Sequence, residues 1–469
     1  MAPLKRMAAL LWAVSLSITI APVHCENAES SRSSSSSSSD EIVELTGTRK
    51  DATKPGTGPP TGPYQTISST VTLATTTMPT DLGVLTANYT EADETATVTY
   101  LTGSVTSSAM TATTTSISGG NATTSSSSST SAAAPPKPTN TRPCNNYPEL
   151  CARKYSNITQ VGCHNSPFVR AGSAAANQQF PVVDQLNDGV RFLQAQIQWP
   201  TNGSVPHFCH TSCDLLDAGP ITDWLRTVRD WVAAHPYDVV TILLGNGNYS
   251  TPDKYVPYLQ ESGITQFAYT PSRVPLAAAD WPTLAQLILS GQRVVLFLDY
   301  MANQTAYPWL LDEFSHMWET PFDPVDTAFP CTVERPPGLS AEDAREKRLY
   351  LMNHNLNAEV SLLGQAILVP AVSQLNVTNG VEGNGSLGMA AGNCRAEWGR
   401  PPNVLNVDYY NFGSYPGSVF EVAARMNNVT YERRSCCGPG SSAAVRVGSP
   451  MASFVWMGLA WGVWMVGLI

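Results

Sequence analysis

The sequence predicts an α/β fold: a TIM-type (β/α) barrel behind a disordered Ser/Thr-rich stalk. Two observations carry this. From residue 158 onward, apolar runs of strand length recur with amphipathic helical patterns between them. Near-continuous apolar strands are buried on both faces, which is the signature of a parallel sheet covered by its own crossover helices. Polar residues also gather where these runs end, as they do around the carboxyl-end mouth of a barrel.

The strand candidates are ITQVGCH (158–164), VRFLQAQI (190–197), VPHFCHT (205–211), VVTILLGN (239–246), RVVLFLDY (293–300), RLYLMNHN (348–355) and NVLNVDYY (403–410). The helix candidates are NQQFPVVDQLND (177–188), GPITDWLRTVRDWVAAH (219–235), PDKYVPYLQES (252–262), TLAQLILSG (283–291), YPWLLDEFSHMW (307–318) and SVFEVAARMN (418–427). At least seven such units favour a barrel over a doubly wound sheet, and no G-x-G-x-x-G turn follows the first strand. Residues 358–398, rich in Gly, Asn and Ser, read as an insertion before the last strand. The eighth strand is not legible, so the barrel is expected to be irregular at that seam.

Composition divides the 469-residue chain into four parts. Residues 1–25 read as a signal peptide, with Lys5 and Arg6 ahead of a short apolar core. Residues 26–142 are low in complexity and bury too little apolar surface to offset their ordering entropy; a small β-module within 66–105 is the alternative. Residues 143–437 are the globular barrel. Residues 438–469 hold small residues (Gly440, Ser441, Ser442, Ala443), a spacer and an apolar tail of 19 residues with no basic flank after it. That is the layout of a GPI-anchor signal rather than of a transmembrane tail.

A formal charge of −10 without a basic run argues against nucleic acid as partner. Nine N-x-Ser/Thr sequons and ten cysteines suit an oxidising, secretory compartment. The cysteines are expected to be mostly paired. Cys209 and Cys213, which bracket His210, read as a disulfide staple rather than half of a zinc site.

The candidate chemistry lies at 161–213, where VGCHNSPF ends one strand at His164 and FCHTSC ends another at His210. Two histidines can divide the work of base and acid. The carboxylate of Asp408, at the last strand end, can fix a ring's tautomer and stabilise its cation. Asn165, Arg191, Gln194, Gln196 and Asn246 are the expected substrate-binding residues. His207 reads as strand body, His235 as a helix cap, His316 as helix surface, and His354 as either lining or support. A glycosidase reading fails, because no strand ends in Glu.

GCHNSP, QLNDGVRFLQAQI, FCHTSC with the following DAGPITDWLRTVRDWVAAHPYDVVTILL, and PNVLNVDYYN resemble, in order, the motifs of the phosphatidylinositol-specific phospholipase C X-domain family. The resemblance is to its fungal secreted branch and spans about 144–430. It implies a phosphodiesterase of lipid metabolism in which His164 takes the proton of an attacking inositol hydroxyl. His210 then protonates the leaving oxygen, and Asp408 supports a histidine. Gln194 and Gln196 stand where the family keeps charge, so neither metal nor other cofactor is expected. The implied partners are a phosphoinositide or glycosyl-phosphatidylinositol substrate and a membrane surface reached through the GPI anchor. The expected form is a cell-surface monomer, and the alternative is a catalytically silent envelope barrel.

Overall fold

The computed structural model describes residues 62–65, 70–73, 143–169, 171–362, 365–433 and 437–438. The signal peptide, most of the stalk and the apolar tail lie outside the described residues.

Eight parallel strands form the sheet. They are β1 (Gln160–Cys163), β2 (Phe192–Gln198), β3 (Val240–Gly245), β4 (Val294–Leu298), β5 (Leu310–Asp312), β6 (Met317–Glu319), β7 (Leu349–Asn353) and β8 (Val404–Val407). The ladder order is 6-7-8-1-2-3-4-5, with β8 paired to β1. Among the described residues no ladder joins β5 to β6, so the barrel is open at that one junction.

This moves the expected seam. The two strands that sequence reading missed fall on YPWLLDEFSHMW and the Glu319 after it, a segment expected to be a helix. Leu310, Leu311, Phe314, Met317 and Trp318 have helical spacing. The segment is instead a three-residue strand, one helical turn (Glu313–His316) and another three-residue strand. Asp312 caps the turn, accepting from the Ser315 N–H at 2.8 Å. Strands this short and buried on both faces leave no alternation to read. VPHFCHT is also corrected. Its strand, His207–His210, is antiparallel to the end of β2 and forms a hairpin with Leu216–Pro220 outside the barrel wall. The stretch read as an insertion holds a second hairpin, Asn357–Leu362 with Gln365–Pro370, and the helix Leu387–Trp398.

Residues level in a ladder point to the same face, so the lumen follows from the register. Gly162, Phe192, Thr241 and Val295 are level, and Gln194, Leu243, Phe297 and Leu311 form the next tier. Across the open junction, Met317 is level with Leu349, and Glu319 with Leu351 and Val404. The lumen is thus apolar at its floor, where Tyr155, Trp281 and Leu284 close it. Gly162 is needed there, because a Cβ would lie 2.9 Å from Val404. The alternate residues, such as Leu193, Ile242, Leu296 and Tyr350, pack outward against helices such as Ile221–Ala234. That helix buries Ile221, Leu225, Val228 and Val232 along one stripe.

Side chains hold the edges of the open junction. Arg335 lies 2.9 Å from Glu319 at the end of β6 and 3.8 Å from Asp299 just past β4. Its guanidinium sits between the rings of Phe314 and Phe322, at 4.8 and 4.7 Å. Two fragments of the predicted stalk also reach this region: Tyr64 packs on Tyr300 and Phe314, and Val71–Thr72 pairs with Arg273–Val274. Arg335→Met strands buried carboxylates and is expected to destabilise by about 3–5 kcal/mol in urea unfolding. The deficit should shrink as pH falls through 7 toward 5, because burial already holds the Asp299 carboxyl up at about 7 and protons can then neutralise it.

Candidate active site

The lumen alternation turns polar at the carboxyl ends of the strands. His164 follows β1 and Asp408 follows β8, and the register Val407↔Cys163 brings them side by side. His164 Nδ1 lies 2.8 Å from Asp408 Oδ1. Asn177 Nδ2 donates to the same oxygen at 2.9 Å, and Gln178 Nε2 donates to the carbonyls of His164 and Val407. The ring is therefore held from several directions. With the Nδ1 proton on the carboxylate, Nε2 is the nitrogen left for chemistry.

His210 arrives from the hairpin. The Cys209–Cys213 disulfide and a left-handed Thr211 (φ 58°) shape its loop. Its ring meets Phe168 edge-on at 5.2 Å, and Phe168 belongs to the turn begun by Asn165. The two histidines come within electrostatic reach of each other. Their proton affinities diverge. Burial works against a charged His164, but the Asp408 carboxylate and its hydrogen bond outweigh it and raise the pKa above 6.5. His210 has no such partner, so burial and then the His164 charge push it down to about 4.

The expected binding residues separate into two groups. Asn165 follows His164 in a left-handed conformation (φ 49°), buried, with Oδ1 unpartnered and able to accept. Gln194 lies in the lumen, accepting from Asn406 Nδ2 at 3.0 Å. Gln196 is half-buried against Gly245, where a Cβ would stand 2.2 Å from its Oε1. The other two are not brought to the mouth. Arg191 donates to Asp238 at 2.8 and 3.0 Å and to the carbonyls of Leu186 and Val190, and stacks on Trp231 of the outer helix. It precedes Phe192, so the alternation turns it outward. Asn246 spends its amide on its own loop, donating to Ser250 and Tyr300 carbonyls and accepting from Tyr255.

Glu319, Asp323, Arg335, Asn406 and Asn177 were missed, while Asn353 stands at the strand end where the sequence puts it. Glu319 directly follows the misread helix, and "short apolar run, then acid" would have marked it. Arg335 lies in a loop without periodicity. Glu319 and Asp323 both act on the His164 charge, and burial raises the Asp323 carboxyl to about 6. His207 sits in its hairpin strand, 2.8 Å from Asp217, and His235 caps the Trp231 carbonyl at 2.7 Å. His316, expected on a helix surface, is buried with Nδ1 on the Asp312 carbonyl. His354 is a supporting residue, bound to the Thr378 carbonyl and packed on Phe329.

The arrangement coincides with a family match. The PI-PLC X family model (PI-PLC X 1) covers residues 150–427, more than half the chain. The chain belongs to the PI-PLC X domain family. A protein of Arthroderma benhamiae named "Uncharacterized secreted protein" is 54% identical over 309 residues, 66% of this chain and 69% of that one. "PI-PLC X domain-containing protein 1" of the same organism is 38% identical over 288 residues, 61% of this chain and 90% of that one. Among solved structures, phosphatidylinositol-specific phospholipases C from Listeria monocytogenes and Staphylococcus aureus align at 12 and 13% identity. Their TM-scores are 0.40 and 0.39; the alignments cover 62 and 60% of this chain and 98 and 95% of theirs.

Calcium is the cofactor that some members of such a family use. Among the described residues no three His, Cys, Asp or Glu side chains converge as a metal site. Glu319 gives one oxygen to Arg335 and Asp408 one to His164, while Glu319 Oε1 and Asp408 Oδ2 have no hydrogen-bond partner. A hard cation needs several carboxylate oxygens in one place, and the described acidic side chains do not gather in that number. Asp408→Asn provides a test of the charged pair. A histidine whose folded pKa is raised contributes stability that is present below its unfolded pKa and lost as pH rises through the folded one. The stability gap between wild type and Asp408→Asn should therefore be widest below about pH 6.5 and narrow above it, as read by thermal unfolding across pH.

Proposed function

We propose that the protein is an extracellular, GPI-tethered phosphodiesterase that cleaves a phosphoinositide or glycosyl-phosphatidylinositol-type phosphodiester without metal. One observation carries this: His164, 2.8 Å from Asp408, and His210, whose ring meets Phe168 of the turn that follows His164, stand at one mouth, the first raised by its carboxylate partner and the second lowered by burial. Family membership and the secreted relative support it. His164 Nε2 takes the proton of the inositol 2-hydroxyl as its oxygen attacks phosphorus in-line. The bond from phosphorus to the diacylglycerol oxygen breaks, and His210 supplies the proton that oxygen needs. A cyclic phosphodiester and a free alcohol result.

The singly protonated pair is the working form, and at rest its proton favours His164. The productive tautomer, with His164 neutral and His210 charged, is the minor one. An anionic phosphodiester settling beside His210 raises that ring and shifts the proton toward it. The unpartnered acceptors Asn165 Oδ1 and Asn406 Oδ1 suit the hydroxyls of a polyol.

One observation favours a silent barrel instead: Arg335, beside this face, is tied to Glu319, and the Gln194 carbonyl oxygen already accepts from Asn406 Nδ2. Purified protein assayed on phosphatidylinositol with excess chelator separates the two. We expect multiple turnover, lost by about 100- to 10,000-fold in His164→Ala and in His210→Ala. No cleavage, or cleavage only with added calcium, would overturn the proposal. The pH profile of kcat/KM should be a bell whose acid limb falls near 4 and whose alkaline limb lies above 6.5.

A further inference from the structure

The described residues contain seven of the nine sequons, and the asparagine of every one is exposed. The contrast with the other asparagines is sharp. Eleven of the remaining fifteen described asparagines are buried, among them Asn177, Asn353 and Asn406. Most of the buried ones spend Nδ2 on a hydrogen bond, as Asn379 does on the carbonyls of Asp408 and Tyr409. Among the described residues no sequon asparagine does. Asn303 and Asn376 accept backbone N–H groups through Oδ1, from Ala306 at 3.1 Å and Gly413 at 3.4 Å, so Nδ2 stays available. Nδ2 is the atom to which an N-linked glycan is attached. The sugar is added before the chain folds, so a sequon in use must end on the surface.

Their places are not scattered. Asn202 follows β2, Asn248 follows β3, Asn303 follows β4, and Asn376 and Asn384 follow β7. These five therefore stand on the connections at the carboxyl-end face, four on loops and Asn376 in the short helix Leu375–Thr378, around the His164–His210 mouth. Asn157, ahead of β1, and Asn428, beyond the last helix, stand at the opposite end, where Asn427 bonds Thr159. Two exposed large apolar residues of the mouth face, Tyr249 and Val377, are the middle residues of the Asn248 and Asn376 sequons. Each is thus the chain neighbour of a candidate glycan site.

We propose that these seven asparagines carry N-linked glycans, and that the five on the mouth face form a collar that covers the apolar residues there. The mouth is then bounded by carbohydrate, so it meets a phosphodiester that projects from a surface or is free in solution more readily than one lying flush in a bilayer. The proposal rests on the extracellular reading above, but not on catalysis.

Full-chain protein secreted by a glycosylating host is treated with an N-glycan-releasing amidase in heavy-oxygen water, which marks each released site as a labelled aspartate. We expect the mark at all seven positions. Bare rim sites with marked Asn157 and Asn428 would overturn the collar alone, whereas no mark anywhere would overturn the secretory reading. The Asn248→Gln/Asn376→Gln double variant should lose two glycan-sized steps in gel mobility. Its binding of an apolar-surface dye should rise about twofold. Unchanged dye binding would overturn the covering role.

Discussion

The ladder between β8 and β1 is the constraint on which the site depends. It is the pairing that joins the last strand of the sheet to the first, and it sets Val407 level with Cys163. The residues that follow, Asp408 and His164, then emerge adjacent at the mouth and meet at 2.8 Å. A slip of one residue would turn one of the two toward the outer helices and part the pair. The backbone holds this register beyond the strands: the His164 N–H donates to the Val407 carbonyl, and Gln178 binds the carbonyls of both. The buried carboxylate in turn has Asn177 as a second donor, as an anion removed from water requires. Fold closure and the charge of His164 are therefore one interaction seen at two scales.

The open junction between β5 and β6 is organised on the opposite plan. Backbone pairing stops there and buried charge takes over, with Arg335 among Glu319, Asp299 and the Tyr300 hydroxyl. Glu313, beside them, has its carboxyl pushed well up by burial and by Glu319. Such clusters stabilise little in net terms but lose much when one member is removed. Here the cluster also fixes the end of β6, from which Glu319 acts on the His164 charge.

Much of this was legible in the residues. His164, Asp408 and the strand ends around them stood out because six of the eight strands are apolar runs closed by polar residues. The family motifs lie on those same strands. The rest was hidden for physical reasons. Three-residue strands joined by one helical turn produce the apolar spacing of a helix, so β5, β6 and Glu319 were lost together. Arg191 and Asn246 have the residue types of a binding site. Strand parity turns Arg191 outward, and the demands of a tight loop consume the Asn246 amide. Neither effect is visible without the register. His210 was placed correctly near a strand end but on the wrong kind of strand, since a hairpin beside the barrel and a barrel strand share one local pattern.

The central claim is that Asp408 and burial polarise the two histidines in opposite senses before any substrate arrives. Ring-nitrogen NMR titration of the folded protein measures this directly. We expect His164 to titrate above 6.5 and His210 near 4, with His164 losing its elevation in Asp408→Asn. Two rings titrating together near 6.5, unmoved by that substitution, would contradict it.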